Sequence, residues 1–296
     1  MIKLHFETLT PLFIGSGDEL VENFDFCIRT GVLHKFNQNH VLQKYPNKIK
    51  IDETYAGLKS IPELDFFDDT LFWYKIKCED HFLENFKKKD RDMSFVREFT
   101  NVNGSFYVPG SSVKGAITTC LGRELGITSS IKEKFLIRDS EPISKENFTV
   151  LNIKEVPPSI SMIVMNKNVK FTLLVPKASN LDVKRIEESI KDYSTKQIAS
   201  CLMEIDQYPK INQNLTELQH LKESLKNLEH SYAEVCKINI GFGGGSWFKV
   251  DKGIIPEFRS STDEKSSEEP DVSYAFNKSQ GKLEQLGWCR VEVEEC

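Results

Sequence analysis

Alternation of apolar and polar residues opens the chain. Across residues 3–11, Leu4, Phe6, Thr8 and Thr10 share one face, the period-two pattern of a half-buried strand. The pattern runs through Leu12, Phe13 and Ile14 and stops at Gly15-Ser16-Gly17-Asp18, a turn signal. Residues 24–28 and 30–33 predict a hairpin. From about 38 to 100 the pattern turns helical and charge-rich, and the Lys87-Lys88-Lys89 run reads as a solvated helix end. Residues 105–108 predict a short strand ending at Pro109-Gly110. A helix follows from near Val113, with Ala116, Ile117, Cys120, Leu121 and Leu125 on one face and Gly126 as its stop.

A second set of elements begins near residue 150. Residues 159–165 and 169–175 read as strands joined by Asn166-Lys167-Asn168 in a tight hairpin. Asn180 can cap a helix bearing Leu181, Ile186 and Ile190. A longer stripe (Leu215, Leu218, Leu221, Leu225, Leu228, Tyr232, Val235) reads as a helix packed on the core. Residues 257–273 are polar and read as a mobile insertion, because the alternating strand at 287–293 continues after them. Pro157-Pro158 breaks the chain in two, giving an expected N-terminal unit of 1–150 and a C-terminal unit of 151–296. Interleaved strands, hairpins and helices make the expected class α+β, built from ferredoxin-like units rather than a doubly wound parallel sheet.

Composition narrows the function. With 39 Lys+Arg against 44 Asp+Glu the net charge is −5, which argues against a free-standing protein that coats nucleic acid through a broad basic field. It leaves room for local basic loops. The seven cysteines form no CxxC and no Cys/His zinc spacing, so no metal or other cofactor is expected. An odd count without a signal peptide predicts reduced thiols in the cytoplasm, and no apolar run approaches the ~20 residues of a membrane span.

Two loops carry candidate chemistry. Gly110, Ser111, Ser112, Lys114 and Gly115 open a helix, where unpaired N–H groups, serine hydroxyls and a lysine suit a phosphate. The lysine precedes the second glycine, so this is no nucleotide-binding GxxxxGK[ST] loop; a plain serine-capped helix is the structural alternative. Gly241, Phe242, Gly243, Gly244, Gly245, Ser246, Trp247, Phe248 and Lys249 combine glycine, aromatic and basic residues, as single-strand binding sites do. The alternative there is a tight turn with its aromatics in the core. Gly15, Ser16 and Gly17 gain meaning only beside these two. The six histidines share no motif, and Asp25 and Asp139 are the carboxylates considered for metal-assisted RNA cleavage; no catalytic constellation is recognised.

Three stretches in this order, LTPLFIGSGDE (9–19), YVPGSSVKGAITTCL (107–121) and IGFGGGSWFKV (240–250), resemble the repeat-associated mysterious protein (RAMP) superfamily of CRISPR systems. The closing LGWCRVEVE fits as well. Within it the chain most resembles the fifth-subunit family of type III-A Csm complexes. The resemblance implies tandem ferredoxin-like (RRM-like) RAMP domains with glycine-rich loops. It also implies a non-catalytic scaffold that packs beside other Csm/RAMP subunits on a guide RNA (crRNA), with target RNA nearby. That subunit family caps the filament near the guide's 3′ end and supports its maturation. By the family's pattern, the loops at 15–17, 110–115 and 241–247 would face RNA or a neighbouring subunit. A RAMP endoribonuclease is the alternative. The aromatic signature of ordinary RRM sheets is missing, so RNA binding through an open sheet face is not expected.

Overall fold

The computed structural model describes residues 1–46, 64–88, 95–125, 136–154, 160–176, 183–207, 215–241, 274–277 and 282–295. Its elements form a mixed α+β fold with two main sheets.

The smaller sheet is built on β1 (Ile2–Thr8), which buries Ile2, Leu4, Phe6 and Thr8 and leaves Lys3, His5 and Glu7 on the other face. β1 lies between β11 (Lys170–Val175) and β15 (Trp288–Glu295), antiparallel to both, with Leu4 opposite Leu173 and Val293. β12 (Lys237–Asn239) closes the far edge. The polar face is a charge ladder: Lys3, His5 and Glu7 stand opposite Glu294, Glu292 and Arg290. His5 also hydrogen-bonds Thr172 and Glu294, and pairing with His5 holds the Glu294 carboxyl below its usual range. Carboxylates and a lack of aromatics make this face a poor platform for bases.

The larger, nine-stranded sheet runs β2 (Gly15–Val21), β6 (Phe95–Phe99), β10 (Ile160–Met165), β9 (Phe148–Lys154), β5 (Phe72–Cys78), β4 (Val32–Phe36) and β3 (Phe26–Arg29). β13 (Tyr274–Asn277) joins β9 and carries β14 (Lys282–Gln285). Both sheets therefore draw strands from either side of residue 150, and one apolar core, including Phe6, Phe99, Val113, Phe148 and Ile186, spans them. A separate hairpin pairs β7 (Asn101–Val102) with β8 (Ser105–Phe106).

The helices are α1 (Gln38–Lys44), α2 (Asp80–Lys88), α3 (Gly110–Leu125), α4 (Val183–Gln207) and α5 (Leu215–Ser231). α4 packs on α3 and on β12 and β15, burying Ile186 and Ile190 as its spacing requires. α5 wraps Leu221, Leu225 and Leu228 around Trp288, together with Ile198 of α4. Leu221, Leu225 and Leu228 of the predicted stripe are core, as expected, and Tyr232 packs against them half-buried.

Two expectations need correction. The described residues of 38–100 are not mainly helical: β5 and β6 lie among them, and β5 alternates buried Phe72, Tyr74, Ile76 and Cys78 with Trp73, Lys75 and Lys77. Nor do residues 166–168 close a hairpin, because β10 pairs with β9 and β6 while β11 pairs with β1. The turn carries the chain between sheets. It is tied to the end of β1, where Thr8 Oγ1 donates to the Asn166 carbonyl and Asn168 N–H donates to the Thr8 carbonyl. The predicted cap at Asn180, the stop at Gly126 and the insertion at 257–273 lie outside the described residues.

Candidate nucleic-acid interface

The site is organised by the link between β1 and β2, which crosses from one sheet to the other. Leu9 and Thr10 donate to the Trp288 carbonyl, Leu12 exchanges two backbone hydrogen bonds with Met165, and the Thr100 N–H and hydroxyl both donate to the Ile14 carbonyl. With its backbone held this way, the link presents Phe13 as a fixed anvil, edge-on to Phe99. Gly15 sits against it: a Cβ there would come 3.2 Å from the Phe13 ring. Residues 15–19 are exposed, and the register slips between Gly15 and Glu19 at this edge strand. Ser16 braces the bulge, donating to the Glu98 carbonyl and accepting from the Asp18 N–H.

Gly241 reaches the same anvil from β12. Its φ is +74°, and a Cβ would lie 2.3 Å from the Phe13 carbonyl oxygen, so only glycine fits. Phe242, Gly243, Gly244, Gly245, Ser246, Trp247, Phe248 and Lys249 lie outside the described residues.

The third loop is the start of α3. The helix begins at Gly110, three residues earlier than its apolar spacing predicts. Gly110 N–H donates to Asp139 Oδ1 at 2.8 Å, and the Pro109 carbonyl accepts from Ser112 and Val113. Asp139, a candidate cleavage residue, is thus a helix cap. Gly110 is buried against residues 137–138, where a Cβ would meet the Ile137 carbonyl at 2.3 Å. Its glycine serves packing. Gly115 is the opposite case, exposed and with nothing within 4 Å of a Cβ. Ser111 is exposed, Ser112 and Lys114 are half-buried, and among the described residues no carboxylate pairs with Lys114. That leaves its charge available to an anion.

These pieces converge. Ser112 and Gly115 line one groove of about 440 Å³ with Gly241, closed by Tyr193 and Gln197 of α4 and by Ile238, Asn239 and Ile240. The sequence motifs gave no hint of Tyr193, Gln197 or Asn239. Their only traces in the sequence are the four-residue spacing of the first two on a helix and the position of Asn239 just ahead of the glycine run.

Asp25, the other cleavage candidate, is structural: it accepts from the Val21 N–H and from Lys35 and Gln38. Burial pushes the thiols of Cys27, Cys78 and Cys236 up to about 12 and that of Cys289 higher still, so these groups are not nucleophiles at neutral pH. Among the described residues no His/Cys/Asp/Glu cluster suits a metal, and no helix is long and apolar enough to cross a membrane. Lys87 and Lys88 lie on α2.

The profile of the RAMP superfamily matches residues 5–249, from the first strand through the glycine-rich loop, and the chain belongs to that superfamily. A more particular likeness follows. The chain is 31% identical over 125 residues to the CRISPR system Cms protein Csm5 of Methanocaldococcus jannaschii, a match covering 38% of this chain and 28% of that protein. Two solved structures share the fold. One is a chain of a cryo-EM Csm–crRNA–target RNA ternary complex of a type III-A CRISPR-Cas system (TM-score 0.65, 16% identity, 99% of this chain and 100% of that one). The other is the crystal structure of T. onnurineus Csm5 (TM-score 0.59, 16% identity, 97% and 99%).

Proposed function

We propose that the chain is a non-catalytic scaffold subunit of a type III-A CRISPR (Csm) effector complex that grips the guide RNA backbone. In this role it caps the filament near the crRNA 3′ end and supports guide maturation. Its partners would be crRNA and other Csm/RAMP subunits, with target RNA close by, in the cytoplasm. The same reading takes the two sheets as elaborations of two ferredoxin-like RAMP units.

The observation that carries it is the meeting of Ser112, Gly115 and Gly241 at one groove, next to Lys114, which no carboxylate pairs with among the described residues, while Gly241 and Gly15 both pack on Phe13. With the N–H groups of Gly110, Ser112 and Val113 already taken, the serine hydroxyls and the Lys114 cation at the helix start are the groups that would grip an anion. Likeness to Csm5 proteins and to a chain of a Csm–crRNA–target RNA complex points the same way. The structural roles of Asp25 and Asp139 favour a scaffold over an endoribonuclease. The test is co-purification from a host expressing the other subunits: the wild-type chain should bring down guide RNA of defined length, and Lys114→Ala should reduce the RNA recovered. Recovery of partner proteins with no RNA contact at these loops would make the chain a protein adaptor instead.

A further inference from the structure

β15 outruns its neighbour on one side. It pairs with β1 from Cys289 to Glu295, but with β12 only from Trp288 to Arg290. Along the β12 side, alternate residues turn their backbone groups outward. Val291 N–H still finds the Cys236 carbonyl at 2.8 Å, just ahead of β12. On that side no strand of the described residues reaches Val293, whose N–H donates instead to Glu187 Oε1 of α4 at 3.2 Å. A carboxylate therefore stands where the carbonyl of a further strand would.

A side chain that only covers a strand edge leaves no space beside it, and here space remains. A groove of about 400 Å³ lies between α4 and β15, with Val235 and Val291 as apolar lining. Its cations are already engaged: Lys184 pairs with Glu188 at 3.8 Å, Lys191 with Glu234 at 3.3 Å, and Arg290 with Glu292 at 2.5 Å. Glu187 is the lining carboxylate left over, and Glu295 adds negative charge at the strand end. An RNA backbone would be repelled by that surplus. An extended protein segment satisfies both groups at once. Its carbonyl would accept the Val293 N–H, and a Lys or Arg on it would pair with the displaced Glu187 carboxylate, so neither is left bare.

We propose that the free side of β15, from Val293 to Glu295, docks an extended Lys- or Arg-bearing segment of a neighbouring protein subunit, which joins the smaller sheet in line with β12. This rests on the subunit reading above and gives one protein contact a place on the smaller sheet, as distinct from the glycine loops.

The test compares amide hydrogen exchange, resolved along residues 289–295 by mass spectrometry, in the free chain and in the complex assembled with the other Csm subunits and guide RNA. Assembly should slow exchange at Val293–Glu295 about tenfold or more, while Cys289 and Val291, already bonded, change little. Glu187→Gln keeps an acceptor for Val293 and removes the charge. Its unfolding midpoint should match wild type, and its affinity for the remaining subunits should fall about fivefold or more. Unchanged exchange at Val293–Glu295 in an assembled complex, slowing produced by guide RNA alone, or wild-type affinity in Glu187→Gln overturns the docking edge and leaves the subunit reading standing. Failure of the wild-type chain to assemble overturns both.

Discussion

Gly110 and Gly115 lie five residues apart in one motif, and alanine at each should act in opposite directions. At Gly110 a Cβ would sit 2.3 Å from the Ile137 carbonyl oxygen and 2.7 and 2.8 Å from the Ile137 and Arg138 carbonyl carbons, all backbone atoms. Relief requires the 137–139 segment or the helix start to retreat. That segment is held by Arg138 N–H on the Leu174 carbonyl, Ser140 N–H on the Val108 carbonyl, and the Gly110–Asp139 cap. Weakening two such bonds costs about 0.5–1.5 kcal/mol each, and overpacking adds roughly 1–3 kcal/mol, so Gly110→Ala should lose about 2–6 kcal/mol. At Gly115 no heavy atom lies within 4 Å of a Cβ, and alanine only stiffens the helix. Gly115→Ala should therefore gain roughly 0.5–1 kcal/mol. Urea unfolding followed by circular dichroism reads both. A Gly110→Ala midpoint equal to wild type, or a clear loss in Gly115→Ala, would refute the division of this motif into a packing glycine and an open one.

Three further outcomes are expected. Lys114→Ala should weaken binding of single-stranded RNA evenly across sequences and reduce the salt slope of log K by about one phosphate's worth, measured by fluorescence titration at several salt concentrations. Asp139→Ala should cost about 0.5–2 kcal/mol by uncapping α3, visible as a lower urea midpoint. His34 gives a pH signature: buried against Phe66 and Phe72, near Lys75 and Arg29, it is pushed down to about 4. Above pH 6.5 it is neutral in folded and unfolded chain alike; below that, the unfolded chain takes up a proton the folded one refuses. Stability should thus drop as pH falls from 6.5 towards 4, by about 1–2 kcal/mol at roughly pH 5. His34→Leu should flatten that drop, and an identical pH dependence in both proteins would remove His34 as its source.

Much of the fold was legible where one face of an element carries all its apolar residues. β1, the β3–β4 hairpin, the buried face of α3 and the leucine stripe of α5 follow directly from periods of two and 3.6. β5 and β6 were obscured because lysines, an arginine and Glu98 interrupt their apolar runs; Glu98 is nonetheless buried, accepting the Tyr74 hydroxyl at 2.5 Å. Sheet membership was not legible at all. Nothing local says that Leu4 pairs with Val293, or that strands flanking the 166–168 turn belong to different sheets. The site divides in the same way. Ser112, Gly115 and Gly241 stand out as unusual residues in sequence, but their meeting at one groove and the contribution of Tyr193, Gln197 and Asn239 are products of packing across more than 100 residues.

Ultraviolet crosslinking of the purified complex, followed by mass spectrometry of the adducts, reads whether these loops hold guide RNA inside a multi-subunit complex. RNA-bearing peptides are expected from the α3 start around Ser112–Lys114 and from the segment leaving Gly241. Adducts confined to other surfaces of the chain, or none on it in a complex whose guide is fully retained, would contradict it.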